Sequence, residues 1–170
     1  MKIDFENMRD VVDGTSNGIM PLEFISVTVD TSWLDYNGHM NESAYMFVAG
    51  LGYEGFAKYI GMDAEWVATK GSFFTLENHN RYFKECNAGD VLVVKTHLVD
   101  MDKKRIHLCN MVYKGEDLVF TSEQMKIYVN PTTRCGMEIH MDVYDRVDSL
   151  WAVHRMRKNA YIGRIIGMKK

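Results

Sequence analysis

Residues 35–61 read DYNGHMNESAYMFVAGLGYEGFAKYIG, and the two halves of this stretch follow different rules. In the second half Tyr45, Ala49, Tyr53, Phe56 and Ile60 recur at spacings of four, four, three and four. That is one face of a long helix. Asn41 is placed to cap its start and Gly61 to stop it. Gly50, Gly52 and Gly55 lie inside the helix, and each costs up to about 1 kcal/mol against alanine. Close contact between the helix backbone and a sheet is the physical reason to keep them. In the first half, Asp35, Asn37, His39 and Asn41 alternate through a loop that ends at the first helical turn. Unpaired N–H groups and a partial positive charge make such a turn a place to stabilise an oxyanion. The loop thus brings together a base, an acid and an anion site. The same residues also make an ordinary Asn/Gly turn with a cap.

Strand patterns surround the helix. Before it, Glu23–Val29 alternates Phe24, Ser26, Thr28 with Ile25, Val27, Val29. After it come Ser72–Cys86, Val91–Val99, Arg105–Tyr113 and Leu118–Val129, separated by Asn87–Asp90, Asp100–Lys103 and Lys114–Asp117. Strands joined by tight turns run antiparallel. A single apolar helix after the first strand must bury its stripe on that sheet. Val143, Val147, Leu150, Trp151 and His154 mark a second, C-terminal helix. The expected class is α+β: a curved antiparallel sheet wrapped around one long central helix, plus a C-terminal helix. Residues 1–20 are expected to be a loosely held lead-in, 21–135 the main domain, and 136–170 the C-terminal helix and tail of the same domain.

Composition narrows the function classes. The chain has 170 residues and a formal charge of -3, with no basic block that would suit nucleic acid. No apolar run approaches the roughly 20 residues that span a bilayer, and the N-terminus lacks a signal-peptide pattern. Cys86, Cys109 and Cys135 are three and far apart, which fits neither a disulfide framework nor a zinc site. A reducing cytoplasm is the expected compartment. Scattered methionines read as core filler.

The strand order together with Asp35, Asn37, His39, Asn41 and Tyr45 resembles the hotdog-fold acyl thioesterases, over about residues 22–130. In the 4-hydroxybenzoyl-CoA thioesterase branch a catalytic Asp precedes the central helix, a few residues before a Tyr within it; Asp35 and Tyr45 match. The alternating Asp-Asn-His-Asn pattern is also similar to the plant acyl-ACP thioesterases. Trp33–Met40, Thr75–His79, Asp102–His107, Ser122–Met125, His154 and Gly163–Gly167 resemble the betainyl-CoA thioesterases of carnitine breakdown.

The resemblance implies an acyl-CoA thioesterase for a small acyl group such as that of betainyl-CoA, assembled as a homodimer or larger homo-oligomer, with no cofactor and no metal. Asp35 is the expected nucleophile or general base. Asn37 would orient the water or the carboxylate, and His39 would serve as acid/base or hold a polar network. Asn41 is a helix cap first. Glu77 and His79, two apart on one strand, are expected to share a face with Phe73 and Thr75, and form either a site or a structural pair. A quaternary-ammonium acyl group would need aromatic faces from among Trp33, Tyr36, Tyr45, Trp66, Phe73 and Phe74, with Glu77 as the anion. His97 and His107 are expected at the surface or an interface. A non-catalytic acyl-binding hotdog module and a hotdog dehydratase are the competing readings. The attacking carboxylate argues against the first, and the helix pattern against the second.

Overall fold

A computed structural model describes residues 8–10, 22–164 and 166. The elements are β1 (Met8–Asp10), β2 (Leu22–Thr28), α1 (Glu42–Tyr59), α2 (Ala64–Thr69), β3 (Ser72–Tyr82), β4 (Val91–Met101), β5 (Arg105–Lys114), β6 (Asp117–Val129) and α3 (Met141–His154). They form one antiparallel sheet in the order β1-β2-β4-β5-β6-β3. Helix α1 lies against β2, β4, β5 and β6. This is the expected hotdog arrangement. Among the described residues, two short elements lacked a periodic signal: α2 and a 3-10 turn at Thr31–Trp33. The stretch expected as a lead-in supplies β1, which pairs with β2; the rest of residues 1–20 lies outside the described residues.

Helix α1 begins where the sequence placed it. The Asn41 side chain accepts the Ser43 N–H, and Gly61 leaves the helix at φ 86°. The interior glycines divide. A Cβ on Gly52 would meet Val94 Cγ1 at 2.5 Å and Asn110 Oδ1 at 3.1 Å, and one on Gly55 would collide with Phe24. Both mark places where the helix backbone rides on the sheet. Gly50 faces open space, so the close-contact explanation does not extend to it.

The strand faces also differ from simple alternation. A register shift between Thr75 and Glu77 places a bulge at Leu76. One extra residue on a strand exchanges its two faces beyond that point. Phe73 pairs with Tyr128 and Thr75 with Lys126, toward α1, whereas Glu77 pairs with Met125 and His79 with Glu123, away from it. The expectation that Phe73, Thr75, Glu77 and His79 share one face is therefore corrected. Glu77 and His79 do stay together.

His97 and His107 are not ordinary surface residues. His97 is buried, with Nε2 on the His154 carbonyl at 3.2 Å. His107 Nε2 lies 2.8 Å from Glu123 Oε1. Two continuous apolar clusters fill the space around α1. Phe56, Ile60, Leu98 and Leu108 join Val147 and Leu150 of α3 in one, and Val48, Leu92, Val94 and Phe120 lie in the other.

Candidate active site

The loop before α1 is tied into one conformation by its own backbone. Asp35 N–H donates to the His39 carbonyl at 2.8 Å and Gly38 N–H to the Asp35 carbonyl at 3.1 Å. Gly38 takes φ 79°, a conformation that suits glycine. Asp35 Oδ1 accepts the N–H of Asn37 at 2.8 Å and more weakly that of His39 at 3.4 Å. One carboxylate oxygen thus closes the turn, and Oδ2 has no hydrogen-bond partner among the described residues. The turn reading and the chemical reading of Asp35 hold together, one on each oxygen.

A second segment, 40 to 50 residues further on, completes the site. Met40 N–H donates to the Cys86 carbonyl at 2.8 Å. Cys86 N–H donates to the Tyr45 hydroxyl at 2.9 Å, and that hydroxyl donates to the Lys84 carbonyl at 3.3 Å. Tyr45 therefore clamps the chain after β3 to the start of α1. Desolvation, then the contact with Cys86, pushes its phenol well above the usual range, so it stays a neutral hydroxyl and a structural clamp.

These ties enclose a cavity of about 350 Å³ lined by Asp35, Asn37, His39, Met40, Glu42, Tyr45, Tyr82, Phe83, Lys84 and Glu85. His39 Nε2 is 3.4 Å from Glu85, and Lys84 is paired with Asp117. Tyr82 stacks edge-on against Tyr45 at 5.5 Å, and its hydroxyl reaches the Glu42 carbonyl at 3.4 Å.

The structure thus gathers four sequence-predicted residues, Asp35, Asn37, His39 and Tyr45, in one cavity. Asn41 caps the adjoining helix. The others lie elsewhere in the chain. Trp33 is buried against Phe47, and Phe73 packs on Tyr128 in the core. Trp66 contacts His140 and donates to the Tyr128 hydroxyl, and Phe74 lies under Arg134. Tyr36 stands 96% exposed beside the cavity. Glu77 and His79 are on the face turned away from α1. The expected box of aromatic rings around Glu77 is not assembled by these residues within one chain.

Sequence reasoning missed Glu42, Tyr82, Phe83 and Glu85. Glu42 was visible as an acid in the first helical turn. The others had no local signal, because contacts across some 40 residues place them. The described residues contain no His/Cys/Asp/Glu group suited to a metal ion. Cys86, Cys109 and Cys135 are all free thiols. Burial, then Glu123, pushes Cys109 up to about 12, which leaves it unreactive.

The sequence matches the model of the Thioesterase-like superfamily over residues 29–156. It is 32% identical over 141 residues to the betainyl-CoA thioesterase of Pseudomonas aeruginosa, covering 80% of this chain and 88% of that one. It is 36% identical over 120 residues to the L-carnitine dehydrogenase/betainyl-CoA thioesterase of Ruegeria pomeroyi, covering 71% of this chain. The chain matches only 25% of the length of that relative and 31% of the equivalent Rhizobium protein. Among solved structures, a Staphylococcus aureus protein in complex with CoA superposes with a TM-score of 0.80 at 25% identity, covering 91% of this chain and 100% of that one. A candidate thioesterase from Pseudomonas putida superposes at 0.76 and 26%, covering 88% and 98%.

Proposed function

Because the chain belongs to the Thioesterase-like superfamily, we infer that it hydrolyses a small acyl-CoA to the free acid and CoA, with Asp35 as the reacting carboxylate. The observation that carries this reading is the state of Asp35: one oxygen is fixed by backbone N–H groups and the other is open to a cavity at a helix start. Oδ2 can take a proton from an attacking water, or attack the carbonyl carbon itself. The carbonyl oxygen gains charge in either route. The first turn of α1 supplies an N–H group there, since the Asn41 side chain covers Ser43 N–H, its carbonyl takes Ala44 N–H, and that of Glu42 is left. A thiolate then leaves with little acid assistance, because a thiol pKa lies near 8.5, and in the second route water cleaves the mixed anhydride on Asp35 to release the free acid. Asn37 and His39 border the reacting carboxylate, with the His39 ring steadied by Glu85.

The substrate we propose is betainyl-CoA. The names of the relatives point that way, and so does the charge of the cavity. Asp35, Glu42 and Glu85 line it, while the Lys84 ammonium is taken by Asp117. A quaternary ammonium is favoured by carboxylates and by aromatic faces such as those of Tyr45, Tyr82 and Phe83. The working unit is a homodimer or larger homo-oligomer in the cytoplasm. Among the described residues no helix is long and apolar enough to cross a membrane.

The test is thiol release from a panel of acyl-CoAs by the wild type and by Asp35→Asn. Betainyl-CoA is expected to exceed its neutral isostere, 3,3-dimethylbutanoyl-CoA, by about tenfold or more in kcat/KM. Asp35→Asn is expected to fold normally and lose about a hundredfold or more in kcat. Preference for long-chain or aromatic esters would remove the betainyl assignment. A fully active Asp35→Asn protein would remove the mechanism.

A further inference from the structure

Charge is unevenly distributed along this chain. Residues 149–170 hold six of its twenty Lys and Arg and no Asp or Glu. The preceding 148 residues, with fourteen basic against twenty-three acidic side chains, carry -9. Residues 155–164 of this cationic stretch are pinned to the protein as a strap. At its root, His154 Nδ1 accepts the Leu98 N–H at 3.0 Å, and the His154 carbonyl receives His97 Nε2 at 3.2 Å. With its proton on Nε2, His97 offers Nδ1 to the Asn159 side-chain amide, 3.1 Å away. Further on, Gly163 N–H donates to both oxygens of Glu123 at 3.0 and 3.1 Å. His97 and Glu123 lie on the sheet face opposite α1, so the strap crosses that face.

Between these ties the strap touches the wall of the candidate site. The Tyr161 ring meets Phe83 edge-on at 5.8 Å, and Phe83 is part of the cavity wall. Arg81, two residues earlier on β3, lays its guanidinium over the same ring at 4.7 Å. Lys158 and Arg164 are exposed and have no carboxylate partner among the described residues. Glu123, the acid beneath the strap, is held by Gly163 and His107; Glu77, further back along β3, is exposed on the same face.

The cavity itself cannot hold a polyphosphate, because its free charges are carboxylates and its lysine is paired. The nucleotide of a CoA thioester, with its diphosphate and 3′-phosphate, must lie outside the cavity while the thioester enters it. We propose that the strap, through Lys158 and Arg164 together with Arg81 of β3, is the site that holds the nucleotide phosphates of CoA. The proposal rests on the acyl-CoA reading of the Asp35 site and adds the residues that separate a CoA ester from a simple thioester. Arginine and lysine suit this task as fork and point-charge donors to phosphate oxygens.

Calorimetric titration of the full chain with CoA and with pantetheine, which lacks the nucleotide, tests it. Lys158→Gln/Arg164→Gln, and separately Arg81→Gln, are exposed or half-buried polar exchanges that spare the apolar core. CoA affinity is expected to fall at least about tenfold in the double variant, with pantetheine affinity unchanged and a shallower salt dependence. CoA affinity within twofold of wild type, an equal loss for pantetheine, or no CoA binding by the wild type would overturn the proposal. A kinetic arm keeps the two readings apart. The double variant should hydrolyse a pantetheine thioester at the wild-type kcat/KM and lose only the advantage of the CoA ester. Absence of turnover on every thioester by the wild type would count against the hydrolase reading alone, since the titration judges the phosphate site by itself.

Discussion

Single residues in this protein carry opposite meanings in the same sequence context. Gly50 and Gly52 are two apart in α1, yet only Gly52 is pressed onto Val94 and Asn110. Gly52→Ala should therefore destabilise by about 1–3 kcal/mol through overpacking, after its gain in helix propensity. Gly50→Ala should stabilise by up to about 1 kcal/mol, since its Cβ meets nothing. Urea unfolding of the two variants checks both signs. His154 gives a pH prediction. Its burial, with His97 and Arg157 nearby, lowers its pKa from 6.5 to about 4. The folded protein resists the proton that the unfolded chain accepts. The resulting stability is complete above about pH 6.5 and is lost as pH falls toward 4, by about 3 kcal/mol in all. The loss between pH 7.5 and 4.5 should be smaller in His154→Asn, which has no group to titrate there. Equal losses in both proteins would show that other groups dominate.

At the scale of elements, the loop–helix junction joins stability to chemistry. Asn41 accepts both the N–H and the hydroxyl of Ser43, at 2.9 and 2.8 Å, and its own N–H donates to the Trp33 carbonyl at 2.8 Å. Asn41→Ala keeps the backbone bond and removes the cap. It should cost about 1 kcal/mol. Asn41→Asp, which restores an acceptor at the positive helix end, should recover most of it. Thermal melts of the three proteins measure this directly. The strand that ends near the site, β3, has a different character. It is 11 residues long, pairs among the described residues only with β6, and leaves Leu76 59% exposed.

For the whole molecule, that unpaired edge is the main argument for association. A long edge strand presents a row of open backbone donors and acceptors that must be covered or paired. Light scattering at micromolar concentration should give at least twice the mass of one chain. A fully active, stable monomer would refute this. An assembly would also bring residues on β3, Glu77 and His79 among them, near a second copy, which a single chain does not achieve.

The sequence by itself determined what repeats locally. The 3.6-residue stripe set α1 to within a residue or two, the alternating runs set β2 to β6 along the chain though not that β3 lies beside β6, and Asp-Tyr-Asn-Gly-His before a capped helix set Asp35 at a helix start. Each of these depends on contacts a few residues apart, and so leaves a pattern in the chain. Tertiary structure decided the rest. The bulge at Leu76 turned Glu77 away from Phe73, because one unpaired residue inverts a strand without altering its composition. Tyr82, Phe83 and Glu85 joined Asp35 only because Tyr45 and Met40 bind the Lys84–Cys86 backbone. Histidines that look alike in sequence separated into a buried clamp, His97 with His154, and a cavity residue, His39, because burial and partner are fixed by strands and helices distant in the chain.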